Sequence, residues 1–428
     1  SRGSHTRLED APPSLPGWIP PEVIVPRLRP LVTLSLLSCM ALLACSDSQE
    51  PPASAGTPVR LAFIKDTFAV RQLGSTQLTA VGYDAQGAVV AQLPIQYSVS
   101  GSAATTSAAG MAHGVKPGVG TVTAKLGNLE TTATLEVFGH PEGVVVDSQA
   151  AGWRPFGVAV SRDGVIYVTQ LDNAHIIQIE TADQVIDSIA VGSTPTGVTF
   201  APDGRTAYVT NQFDDNVGVV DVDTRHQSST IPIPAAPFVP FVAPDGQKVF
   251  ITSNTSNVYV ADAATGAIVD TIVLSHAPNG FALHPDESRV YISTFVGGTV
   301  TEVGIASNAT LRTFNPGGTP QAMVVSADGS ELYVANEQGW VDVYDLSTGM
   351  AVAQIPLTGG GFGMALSPDQ QHLYVSEPGA GLVEVVNIHS RSVIHTLNVG
   401  GIPRRVAFTR HGGIAVIPNE LGYVSFVR

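Results

Sequence analysis

The chain has 428 residues, 44% of them hydrophobic, which is enough to bury cores in two or three domains. Charged residues are 13% of the chain while Gly and Pro number 43 and 30, so turns and short strands are favoured over amphipathic helices and the expected fold class is all-β. A formal net charge of −15 offers no basic stripe to release counterions from phosphates, so no nucleic acid is expected among the partners, and Cys39 and Cys45 both lie too near the front to make a disulfide further along.

Residues 1–24 lack an initiator Met and hold five prolines; they are set aside from the fold as an over-extended N-terminus. Residues 25–45 read as a secretory signal: Arg27 and Arg29 supply positive charge, and Leu31 to Leu43 form an apolar run too short to span a bilayer comfortably. The tetrapeptide Leu42-Leu43-Ala44-Cys45 resembles the bacterial lipobox. That resemblance implies lipidation of Cys45, and Ser46 after it implies an exported protein held at the outer membrane or cell surface by its lipid anchor. Residues 46–57 are polar, carry Pro51 and Pro52, and read as a tether.

From 58 to 139, apolar and polar residues alternate in short runs broken by Gly, the pattern of half-buried antiparallel strands. The runs Leu73-Gly74-Ser75-Thr76-Gln77-Leu78, Asp84-Ala85-Gln86-Gly87 and Gly118-Val119-Gly120-Thr121-Val122-Thr123-Ala124 resemble the bacterial Ig-like group 2 domain, which implies a β-sandwich used as a spacer or adhesion module. Tyr97 stands where that family more often has a core tryptophan.

From 140 to 428 a marker recurs every 40 to 42 residues, a Pro followed seven residues later by a turn. It appears at Pro155, Pro195, Pro237, Pro278, Pro320 and Pro403, with Gly361 in the remaining place, and its turns include Pro202-Asp203-Gly204 and Pro244-Asp245-Gly246. Asp-Gly is a hairpin signal, and an aromatic-led strand follows each turn: Tyr167-Val168-Thr169, Tyr208-Val209-Thr210-Asn211, Phe250-Ile251-Thr252, Tyr291-Ile292-Ser293, Tyr333-Val334-Ala335-Asn336 and Tyr374-Val375-Ser376. These strands resemble the YVTN repeat, and seven units of this length imply a seven-bladed β-propeller. The last unit ends after its third strand, while residues 144–149 match a fourth strand lacking its first three. That N-terminal strand is expected to close the ring by completing the last blade.

Common catalytic signatures are missing: no Gly-x-Ser-x-Gly elbow, no His-Glu-x-x-His, no phosphate loop. Histidines are scattered without ligand spacing, so no metal and no cofactor are expected. Attention falls on the channel mouth, formed by the residue after each marker and the residue ending each second strand. The candidate ligand-binding residues are Arg154, Phe156, Phe238, Asn279, Phe362, Glu377, Arg404 and Arg405, with Glu377 expected to set a negative charge beside the arginines. Asn211, Asn336 and Asn419 occupy the same strand-end position and are expected to bond loop backbone.

The expected function is that of a non-catalytic surface binding or scaffold lipoprotein whose propeller face meets a surface polymer, a protein or a small ligand. The alternative is a lactonase-like hydrolase or lyase holding a divalent metal at the mouth with Glu377, Asn336 and Asn419.

Overall fold

The computed structural model describes residues 56–139, 142–179, 185–409 and 413–428. Cys45, the signal segment, most of the tether and the turn at Arg410-His411-Gly412 lie outside the described residues. No helix among the described residues is long and apolar enough to cross a membrane.

The chain is all-β, relieved by one 3₁₀ turn at Gln212–Asp214. Ten strands from Arg60–Phe63 to Leu129–Phe138 form a first module of three small sheets. Thr67–Arg71 runs parallel to the end of Leu129–Phe138, which itself pairs antiparallel with Gly118–Leu126. Alternate residues of these strands turn inward, and Phe68, Val70, Leu78, Val122, Leu135 and Val137 make a shared core. Tyr97 packs against that core, and its hydroxyl accepts the Ala80 amide at 3.0 Å, so the polar end of the ring is satisfied.

The remaining residues build seven four-stranded antiparallel sheets, counted among the described residues. Six are contiguous in sequence. The seventh takes Ala407–Phe408, Ala415–Asn419 and Tyr423–Val427 from the end of the chain and Val145–Ala150 from its front, with Ala150 opposite Tyr423 and Val145 opposite Val427. Inner strands pack on inner strands in order, and the Pro155–Val160 strand packs against Ala407–Phe408 and Ala415–Asn419, so the sheets form a ring, the architecture of a β-propeller.

One local device repeats around the ring. In five sheets the marker Pro pairs with the final residue of the second strand, as Pro195 with Asn211 and Pro278 with Thr294, and pairing then skips to the third residue beyond; Pro403 makes an isolated bridge to Asn419. Pro has no amide to give at that position. The skip leaves the next two residues outside the ladder, and the freed amide of the second is taken by a hydroxyl from the second strand: Gly157 by Thr169, Gly197 by Thr210, Val239 by Thr252, Gly280 by Ser293 and Gly363 by Ser376. Thr169, Thr210, Ser293 and Ser376 also reach a carbonyl of the following sheet. The third letter of the repeated motif therefore stitches neighbouring sheets. Gly197 is needed here because a Cβ would stand 2.7 Å from the Phe238 carbonyl. In the fifth sheet Ala335 replaces the hydroxyl, and the Ala322 amide turns instead to the Phe362 carbonyl.

Candidate functional site

The residue after each marker points toward the ring's axis because the skip rotates it out of the ladder. At three of these positions the axis receives a phenyl ring. Phe156 stands edge-on between Phe238 and Phe362, each centroid 6.0 Å away, and Leu171 joins the cluster. Phe156 and Phe362 are buried, so together with Leu171 they fill one end of the channel with apolar surface.

Two guanidiniums lie on these rings. The Arg404 Cζ sits 4.8 Å from the Phe362 centroid and 5.4 Å from that of Phe156; the Arg405 Cζ sits 5.1 Å from Phe362 and 5.9 Å from Phe238. Such stacking favours a cation over each ring face and leaves the guanidinium edge free to donate.

The two arginines differ in their partners. Arg404 is ion-paired with Glu420, whose other oxygen takes Arg154 Nη2 at 2.7 Å; Arg154 also reaches Asp172 at 3.3 Å. Arg154 is held at a φ of +53°, a left-handed conformation costly for a residue with a Cβ, and its bonds to Glu420 and Asp172 hold it there. Arg405 donates from Nη2 to Asn279 Oδ1 at 3.0 Å and, among the described residues, meets no carboxylate. Burial, aided by the like charge of Arg404, brings its pKa down to about 10, so it remains a cation at neutral pH. Asn279 passes its own amide hydrogen to Gln321 Oε1, and Gln321 Nε2 donates to Glu337 at 2.8 Å. Burial raises the Glu337 carboxyl above its ordinary value, opposed by the charge of Arg404.

Arg154, Phe156, Phe238, Asn279, Phe362, Arg404 and Arg405 thus belong to one connected cluster. Glu377 is placed apart from it. Its side chain is fully buried and faces the Glu384 carboxylate, with the Gly359 backbone beside it. The acids around the arginines are Glu420, paired with Arg404 and Arg154, Asp172, paired with Arg154, and Glu337, which lies in the field of Arg404; Glu337 and Glu420 each stand one residue beyond the strand end. Side chains alternate between faces along an extended chain, so the residue ending the second strand turns toward loop backbone and the next one turns to the mouth. Leu171, Glu337 and Glu420 share that position, and the amide of each bonds the carbonyl of the residue before a marker, or its equivalent, at Arg154, Thr319 and Ile402. A shift of one residue in reading the repeat would have found them.

Asn336 and Asn419 show what the strand-end position does. Asn336 Oδ1 accepts the Thr319 amide at 2.9 Å and Asn419 Oδ1 accepts the Ile402 amide at 2.8 Å, while their Nδ2 groups donate to Gly317 and Gly400 carbonyls. Both are committed to loop backbone in separate sheets, and neither touches Glu377. Among the described residues no group of three or more His, Cys, Asp and Glu side chains is placed to hold a metal ion.

No protein-family model matches the chain. It is 26% identical over 152 residues to a seven-bladed beta-propeller protein of Mycobacterium tuberculosis, a match covering 32% of this chain and 37% of the relative, so the chain spans little over a third of that relative's length. A solved structure of hydrazine synthase from Kuenenia stuttgartiensis superposes with a TM-score of 0.60 at 20% identity, over 68% of this chain and 99% of that one. Together with the ring of sheets, these likenesses identify a β-propeller.

Proposed function

We propose that this protein is an exported, lipid-anchored binding or scaffold protein. In this reading Cys45 carries the acyl anchor, and residues 58–139 are a bacterial Ig-like spacer. The YVTN-type propeller, its ring closed by the strand Val145–Ala150, presents its loop-lined mouth to a surface polymer, a partner protein or a small ligand. The observation that carries the reading is the mouth itself, where Arg154, Arg404 and Arg405 are fixed by stacking and ion pairs around three phenyl rings. A preorganised set of aromatic faces and guanidinium edges recognises ligands without reorganising. Trp153, next to Arg154 in the chain, is 60% exposed.

The test uses the full chain with Cys45→Ser, so that no acyl group takes part, mixed with envelope fractions of the source bacterium and followed by cosedimentation. Retention that is lost on Trp153→Ala plus Arg154→Ala supports the mouth as the binding face; equal retention rejects it. Incorporation of labelled palmitate that disappears in Cys45→Ser supports the anchor, and its absence in the parent rejects it. Hydrolysis of lactones that requires a divalent ion and vanishes in Glu377→Gln would replace the binding reading with an enzymatic one.

A further inference from the structure

Three large apolar side chains stand out of loops at the mouth end of the ring: Leu421 in the seventh sheet, Trp153 at the entry to the first and Phe213 in the second, exposed by 65%, 60% and 74%. Backbone bonds join these loops. The Gly152 amide donates to the Gly422 carbonyl at 2.9 Å, the Asp172 amide to the Trp153 carbonyl at 3.4 Å, the Val191 amide to the Ala174 carbonyl at 2.9 Å and the Phe213 amide to the Ser193 carbonyl at 3.3 Å. The three side chains therefore lie along one continuous stretch of rim. The chain in front of the ring joins it elsewhere: Val145 pairs with Val427, and Val144 and Arg428 exchange backbone bonds of 3.0 Å, at the end of the last sheet away from the mouth.

Trp153 and Arg154 stand consecutively in the left-handed region, at φ of +46° and +53°. Such strain persists only where surrounding bonds hold it, here those of Arg154 to Glu420 and Asp172, and it collects at functional segments. It leaves the indole in water rather than in a core. Phe213 is followed by Asp214 and Asp215, both exposed. Asp214 Oδ2 accepts the Ser193 amide at 2.7 Å, and neither carboxylate is ion-paired among the described residues. The stretch thus sets two uncompensated negative charges beside exposed apolar surface, in a chain of formal net charge −15.

We infer that the rim from Leu421 through Trp153 to Phe213 docks a partner protein by a basic segment that carries lysine or arginine among apolar side chains. The inference rests on the binding role proposed above and selects a protein from among its ligands. Two observations choose that partner. Exposed Trp, Phe and Leu side chains on fixed backbone are the groups a protein interface buries at its centre. Asp214 and Asp215 beside them attract cationic side chains and orient the encounter, and the net charge of the chain acts in the same sense. A bilayer fits less well, because taking Phe213 into hydrocarbon would draw the two adjoining carboxylates out of water.

The probe is a labelled short peptide in which Lys and Leu alternate, titrated into the full chain carrying Cys45→Ser and followed by fluorescence anisotropy, with Lys-Gly and Glu-Leu peptides as controls. The expected result is saturable binding of the Lys-Leu peptide that weakens as salt is added, with both controls at least tenfold weaker. Phe213→Ser with Leu421→Ser lowers the affinity at least tenfold, and Asp214→Asn with Asp215→Asn lowers it and flattens the salt dependence. Val269→Ser with Val273→Ser, which removes two exposed side chains from the outer strand Ile268–Val273 of the third sheet, leaves it unchanged. Binding that survives the Phe213 and Leu421 changes, or that falls equally with Val269 and Val273, overturns the inference. So does the absence of peptide binding, or retention on phosphatidylcholine vesicles that needs Phe213 and Leu421. The envelope assay separates the two readings. Envelope retention lost with Trp153 and Arg154 but kept in the Phe213 and Leu421 variant rejects the protein-docking rim alone, whereas a parent that binds the peptide but not envelope rejects the surface role and leaves the rim site standing.

Discussion

Thr210 Oγ1 donates to the Phe238 carbonyl of the following sheet at 2.8 Å while accepting the Gly197 amide of its own sheet, also at 2.8 Å. One fully buried hydroxyl thus repairs the ladder bond lost at the marker Pro and ties two sheets at the ring's inner edge. Thr210→Val keeps the shape and removes both bonds, leaving the Gly197 amide buried without a partner. The expected loss is about 1–3 kcal/mol, read as a lower urea midpoint, with Thr210→Ser close to the parent. A valine variant as stable as the parent would show that the hydroxyl is dispensable.

The strand Val145–Ala150 is exposed along most of its length and packs little side-chain surface, so its contribution is chiefly the ladder it forms with Tyr423–Val427. Without it the polar edge of Tyr423–Val427 is open to pairing with another chain. A truncated protein starting at Trp153 is expected to melt at lower temperature than one starting at His140 and to self-associate in sedimentation velocity. Identical melting and a single monomer peak for both would remove the strand's role.

Glu302 is buried between two arginines of the fourth sheet, with Arg289 Nη1 at 3.1 Å and Arg312 Nη2 at 2.8 Å. Arg312 continues outward, stacking 4.6 Å from the Phe314 centroid and donating to the Leu346 carbonyl of the next sheet. Glu302→Ala leaves Arg289 with Asp286 as its one carboxylate partner and leaves Arg312 with the Leu346 carbonyl but no carboxylate among the described residues. The expected cost is about 3 kcal/mol, the low end for breaking a buried pair, because the arginine side chains keep 33% and 29% of their surface in water. Glu302→Gln should lie between, and thermal denaturation of the three proteins checks the order.

The repeat was legible because its signals are local. A Pro that cannot donate, an Asp-Gly turn and an aromatic-led strand each act within a few residues, and their recurrence sets the number of sheets. Phe156, Phe238 and Phe362 could be placed together for the same reason, since the position after the marker has one geometry all round the ring. Glu377 could not. Its neighbour Glu384 lies on the adjacent strand Leu382–Asn387, and which side of a strand end faces the channel depends on a one-residue register set by the skip after the marker, which composition does not reveal. The same shift hid Glu337 and Glu420, although all three acids are plain in the sequence.

Glu377 then has a different consequence, expressed in pH. It occupies the place that Asn336 and Asn419 take in other sheets, but it turns toward Glu384, which already accepts bonds from the Thr358 amide, the Thr358 hydroxyl and the Thr396 hydroxyl. Neither Glu377 oxygen receives a well-formed hydrogen bond, and no cation lies against the pair among the described residues. Burial first, and then the facing Glu384 carboxyl, raise the Glu377 pKa to about 8. A carboxyl whose folded value exceeds its unfolded value of about 4.3 holds its proton more tightly in the native state, so folding is favoured at low pH by this group. The contribution is complete below the unfolded value, declines as pH rises toward 8, and is gone above it; the full swing is on the order of 5 kcal/mol. Glu377→Gln keeps a neutral donor facing Glu384 and deletes the titration. Urea denaturation should therefore find the two proteins alike at pH 5 and the glutamine variant more stable by a few kcal/mol at pH 8.5, whereas parallel profiles across that interval would mean that Glu377 is ionised in the folded protein and finds its compensation elsewhere.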